Sequence, residues 1–162
     1  MAHASLATAA FLCSLVAGFV FAFAAIVMPG IRILGDHDFL RAFQVMDGVI
    51  QNNQPLFVLV WAGSVVAILA AVGLNIQALT GLDRALLVAA AAIYIVGVQL
   101  PTMTINVPLN NELQTLVLGT MDADALASAR AAFEARWNQW NVIRTGLASL
   151  SVGLMLALLV RL

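Results

Sequence analysis

Lysine is missing from this chain altogether, and charge of either sign is scarce. The 162 residues hold seven basic residues, all of them Arg, and eight acidic ones, so only 9% are charged and the formal net charge is −1. A soluble domain carries about 25% charged residues, so a soluble globular protein is excluded. Without a basic surplus, nucleic acid is not expected as a partner. Cysteine occurs once, at Cys13 within an apolar run. One thiol builds neither a disulfide framework nor a multi-cysteine metal site, and Cys13 reads as a small packing residue. Histidine occurs twice, at His3 and at His37 between Asp36 and Asp38. Three adjacent residues do not converge as ligands on one helix face, and no long apolar run contains a histidine to hold haem. A phosphate loop, a dinucleotide fingerprint and a Ser-His nucleophile motif are also missing. The expectation is therefore no metal and no cofactor.

What remains is apolar: 63% of residues are hydrophobic and mean hydropathy is +1.02. Four runs, at about 6–28, 56–76, 85–103 and 142–160, reach the roughly 17–25 residues a helix needs to cross a bilayer. Backbone groups in lipid must pair within their own segment, so these runs are read as helices; the short alternating segments of a β-barrel are absent. The first run is too long for a secretory signal and lacks a basic start, so it is read as a retained helix. The expected fold is a single all-α domain over 1–162, a four-helix transmembrane bundle in contact with membrane lipid.

The connections are unequal. Residues 77–84 make a tight turn between the second and third runs, whereas the other two connections are long. If all four runs cross, parity puts both long connections on one membrane side. Pro29-Gly30 is expected to stop the first helix. Beyond it, apolar residues at 39, 40, 43, 46, 49 and 50 follow a helical period, which predicts a short amphipathic helix with Asp36 or Asp38 as its N-cap. In the second connection, Asn106 suits the cap of another short helix with Pro108 in its first turn and Gly119 at its end. No Gly or Pro occurs from Asp122 until Gly146, so one helix should rise outside the membrane and run straight into the fourth span. Small residues at Gly18/Ala22, Gly63/Ala67 and Ala85/Ala89 suit close helix contacts. Five Arg (32, 41, 130, 136, 144) lie on the long-loop side and two (84, 161) on the other, which places the long loops in the cytoplasm. The exposed apolar face of so small a bundle also allows a homo-oligomer, which nothing in the sequence specifies.

Polar residues gather at the expected long-loop ends of the helices. Asn53 precedes Pro55. Asn106, Asn110 and Glu112 follow the third run. Trp137, Trp140, Asn141 and Arg144 open the fourth, spaced i, i+3, i+4 and i+7 on one helix face. Turned inward, that face would line a cavity with indoles, an amide and a guanidinium, groups that donate hydrogen bonds to a carbonyl or phenolate oxygen. Plainer readings stand beside this one. The two Trp serve equally as interfacial anchors, Asn106 as a helix cap, and Arg144 as a residue snorkelling to the headgroups.

The segment Asn106-Val107-Pro108-Leu109-Asn110, taken with Trp137-x-x-Trp140-Asn141-x-x-Arg144-Thr145, resembles the anthrone oxygenase-like family of four-helix membrane proteins. Met28-Pro29 and Asn53-x-Pro55 also fit, so the resemblance covers almost the whole chain. Most bacterial members have no assigned function. For the fungal members the family implies cofactor-free oxidation of an anthrone to an anthraquinone by O₂, and a bacterial inner membrane is the setting the resemblance suggests here. It implies that Trp137 and Trp140 stack on a flat substrate and that Asn106, Asn110, Asn141 and Arg144 hold its oxygens. Asn53 would join the binding residues, and Glu112 would be the base. Family members commonly carry His after the Trp-Asn pair; here that position is Val142, which removes a histidine from proton transfer. The competing reading is a non-catalytic accessory or structural membrane protein.

Overall fold

The computed structural model describes residues 2–162, and they form five helices and one 3-10 turn at Leu118–Thr120. Helix α1 spans 2–31, α2 Asp36–Gln51, α3 Pro55–Asn75, α4 Gly81–Gln114 and α5 Ala123–Arg161. Helices α1, α3, α4 and α5 are long and apolar enough to cross a membrane, and large apolar side chains such as Phe11, Ile26, Leu59, Val66 and Val160 face outward. A surface of that kind is at home in hydrocarbon, and the chain is a membrane protein of all-α fold. Helix α1 packs against α3 and α5, and α4 packs against α5.

Pro29-Gly30 does not end the first helix, and Pro108 does not begin a separate one. Three π-helical turns, at Phe23–Val27, Ile93–Gln99 and Thr102–Asn106, each end two residues before a proline: Pro29, Pro101 and Pro108. A proline ring collides with the carbonyl four residues back and lacks an N–H to bond it. A preceding turn widened to i→i+5 bonding relieves that collision, and the helix continues. Asn106 accordingly has helical dihedrals and makes no cap hydrogen bond. The helix predicted after it exists at Val107–Gln114, but as the end of α4. Gly35, rather than Asp36 or Asp38, is the N-cap of α2, and both acids lie in its first turn, where they favour the helix dipole. The uninterrupted α5 is as expected, 39 residues capped by Asp122, whose carboxylate accepts from the Ala125 N–H.

Helix α2 and both long connections gather at one end of the molecule. Gln44 donates to the Leu113 and Leu116 carbonyls at 2.9 and 3.0 Å, satisfying acceptors that the end of α4 would leave open. Gln114 returns a bond to the Gln44 carbonyl. Arg130 of α5 ties down the other connection, donating to the Leu34 and Arg32 carbonyls, Asp36 and Glu134 while lying over the Phe39 ring. A second apolar core forms there from Met28, Phe39, Phe43, Leu113, Phe133 and Trp137, apart from the main core among the long helices.

The close helix contact lies elsewhere than at Gly18, where a Cβ would meet open space. It lies at Gly97 of α4, where a Cβ would come within 2.7 Å of Leu147 Cδ1 and 3.4 Å of Leu147 Cβ. Gly97→Val overpacks this contact and should cost about 1–3 kcal/mol, read as a lowered thermal unfolding midpoint in detergent micelles. Gly18→Val, by contrast, should leave the midpoint unchanged.

Candidate functional site

The buried stripe of α5 runs through Phe133, Trp137, Asn141, Arg144, Ala148 and Ser151. Helical periodicity therefore carries three polar or amphipathic groups inward just where the apolar core begins. Arg144 is 4% exposed. It donates to Thr102 Oγ1 at 2.8 Å and to Asn141 Oδ1 at 3.0 Å, and its guanidinium carbon lies 5.9 Å from the centre of the Trp137 ring, within cation–π range. Its Nε–H has no partner, and none of the ion pairs among the described residues includes it.

Helix α4 faces this stripe with Thr102, Asn106 and Asn110, four residues apart. Asn106 donates to the Trp137 carbonyl at 3.3 Å, while its Oδ1 is buried without a partner. Asn141 donates to the Val20 carbonyl of α1. Trp137 Nε1 donates to Asn110 Oδ1 at 2.8 Å, and Asn110 Nδ2 donates in turn to Asp47 Oδ1 at 2.8 Å. An indole N–H can only donate, so it fixes which end of the Asn110 amide faces Asp47.

These groups border a cavity of about 280 Å³ to which all five helices contribute. That is near the lower end of the roughly 300–1,000 Å³ usual for small-molecule sites. One part of its wall is aromatic: Phe19, Phe23, Phe43, Phe57, Trp61 and Trp137. Phe57 and Trp61 are stacked with centroids 5.3 Å apart, and Phe43 meets Trp137 edge-on at 5.2 Å. The rest of the wall includes Asp47, Thr102, Asn106, Asn110, Asn141 and Arg144. The arrangement is suited to a flat apolar body with oxygen at its rim.

Of the residues singled out from the sequence, Asn106, Asn110, Trp137, Asn141 and Arg144 come together at this cavity. Three do not. Trp140 is half-buried on the flank of α5, a placement that fits an interfacial anchor. Glu112 is exposed and borders a shallow surface hollow with Leu109, Leu113 and Phe133; α4 continues as one helix, so the inward positions after 106 are 110 and 113. Asn53 is an exposed turn residue between α2 and α3 with φ +55°, a left-handed conformation that Asn tolerates better than most residues. Val142 is 59% exposed, so that position faces away from the cavity.

The model of the anthrone oxygenase family matches residues 43–154, more than half of the chain. The chain belongs to the anthrone oxygenase family. Comparison with curated proteins and with solved structures finds no match in either. The matched span holds every polar residue that borders the cavity, Asp47 through Arg144, whereas the Phe19, Val20 and Phe23 wall precedes it.

The carboxylate missed in the sequence is Asp47, 3% exposed. Besides Asn110 it accepts from Gln114 at 2.9 Å and Gln51 at 3.3 Å. It falls on the stripe of α2 that carries Leu40 and Phe43, and a charge on that stripe was the available signal. Asn110→Ala would strand the Trp137 indole N–H and remove a donor from Asp47. The expected cost is about 1–3 kcal/mol for groups left unsatisfied, measurable as a fall in thermal unfolding midpoint.

Proposed function

We propose that the cavity binds a flat, hydrophobic, anthrone-like or quinone-like aromatic molecule, and that the protein oxidises it with O₂ without a cofactor. One observation carries the binding half: a guanidinium is buried beside an aromatic-lined cavity with no carboxylate partner. Burying a charge costs several kcal/mol unless its donors are well used. Two neutral oxygens take up part of that donor capacity, and a carbonyl or phenolate oxygen of a ligand would take up more. The unpartnered Asn106 Oδ1 is an acceptor for a ligand hydroxyl. The oxidative half rests on family membership. In that reaction a ring CH₂ and O₂ become a ring carbonyl and water, and the enolate formed on the way carries its charge on the oxygen that Arg144 would hold.

The same contacts support a second reading, in which the protein is a non-catalytic accessory and the amides simply fasten the helices. Asn106 and Asn141 do bond backbone carbonyls of neighbouring helices. The readings separate on ligand binding. In lipid nanodiscs, Arg144→Leu should weaken binding of a dihydroxyanthraquinone about tenfold to a hundredfold, the loss of a charge-assisted bond of about 1.5–3 kcal/mol. An unchanged Kd in a folded variant would remove the proposed ligand contact. Oxygen uptake with a panel of anthrones, dependent on Asn106 through Asn106→Ala, would support the oxygenase. No uptake by folded protein that binds the anthrones would favour the accessory role.

In this reading the protein sits in a bacterial inner membrane, the setting its family suggests, and the Arg distribution favours the cavity end facing the cytoplasm. Cleavage of the connections by protease added outside intact cells would contradict that orientation.

A further inference from the structure

We infer that Asp47 is the base that takes a proton from the substrate's ring CH₂, an inference that rests on the reading of the cavity as an anthrone site. Asp47 is the carboxylate that borders the cavity. Its docking role is already filled by neutral groups, since Gln44 and Gln114 fasten α2 to the end of α4 through backbone carbonyls. A buried carboxylate with no cationic partner is costly where an amide would serve, and a carboxylate among the few polar groups of an aromatic-lined cavity is placed to act as a base.

The hydrogen bonding agrees. A carboxylate offers about four lone-pair sites. Asn110 occupies one on Oδ1, and Gln114 and Gln51 occupy the two on Oδ2. The site left over is on Oδ1, the oxygen oriented by the Trp137–Asn110 chain. Indole and amide therefore act as positioning residues: Trp137 holds Asn110, and Asn110 holds Asp47. The cavity is polarised, with a carboxylate on α2 and a guanidinium on α5 that make no ion pair with each other.

In the step, the substrate C–H bond breaks and its proton passes to Asp47 Oδ1. The electron pair moves into the ring system and onto the carbonyl oxygen, giving an enolate that Arg144 stabilises. O₂ is the oxidant that consumes this enolate. Without O₂ the step can only reverse. On its other oxygen Asp47 accepts from Gln51, a residue exposed to solvent.

The test is anaerobic exchange of the CH₂ hydrogens of a dihydroxyanthrone with deuterated water, over the protein-free rate, in nanodiscs. Ligand affinity is measured alongside with a dihydroxyanthraquinone. Wild-type protein should bind and exchange; Asp47→Asn should bind within a few-fold but exchange a hundredfold more slowly or worse, and Asp47→Glu should recover part of the rate. Exchange by Asp47→Asn at the wild-type rate overturns the assignment while leaving the site reading intact. If Asp47→Asn does not bind, Asp47→Glu decides: binding with exchange supports the base, and binding without exchange overturns it. Loss of binding in both variants assigns Asp47 to holding α2 and overturns it as well. Wild-type protein that neither binds nor exchanges defeats the underlying site reading instead.

Discussion

Arg144 sits among apolar helices with two neutral oxygens, an indole face and no carboxylate. That unpaired guanidinium constrains everything around it. Thr102 must stand opposite on α4, Asn141 one turn back on α5, and Trp137 a turn further. Each of these then needs partners of its own, because a buried polar group left unpaired is costly. Asn141 reaches the Val20 carbonyl, and Trp137 reaches Asn110. The chain of obligations ends at Asp47 on α2, which brings in Gln114 and Gln51. The cavity lies inside this ring of bonds, so its polarity follows from how the charges at either end of the chain are satisfied.

Backbone geometry makes the ring possible. Each π-helical turn lets a long helix pass a proline without stopping, and Thr102 and Asn106 are the first and last residues of one such turn. Had α4 ended near 103, Asn110 and Gln114 would not share a rigid element with Thr102. Had α1 ended at Met28, the connection to α2 would be longer and looser. The short 32–35 connection, held by Arg130, instead presses Phe43 and Asp47 onto the end of α5 and α4. A rigid scaffold around a small polar set is what a site needs to hold a flat ligand in one orientation.

Much of this was legible in the residues alone. The apolar runs marked the four long helices, and the lack of Gly and Pro after Asp122 marked α5 as continuous. The i, i+4, i+7 spacing of Trp137, Asn141 and Arg144 predicted a shared helix face, though not that it turns inward. The ends of α1 and α4 were not legible. Proline normally signals a stop, and the relieving π-turns are written in no residue type. For that reason Asn106 read as a cap and Glu112 as a site residue. Asp47 was missed because charge on a short amphipathic helix ordinarily marks the wet face. Only the docking of that helix against α4 turns the stripe of Leu40, Phe43 and Asp47 inward.

The central claim is that the cavity recognises an oxygen-bearing flat aromatic through Arg144. The most direct measurement is equilibrium binding of two molecules of the same outline, anthraquinone and anthracene, to the protein in nanodiscs, corrected for partition into lipid. The account predicts anthraquinone to bind at least tenfold more tightly, since only it offers oxygens to the guanidinium and the asparagines. Equal affinities, or tighter binding of anthracene, would mean that the cavity reads shape alone and that Arg144 has no part in recognition.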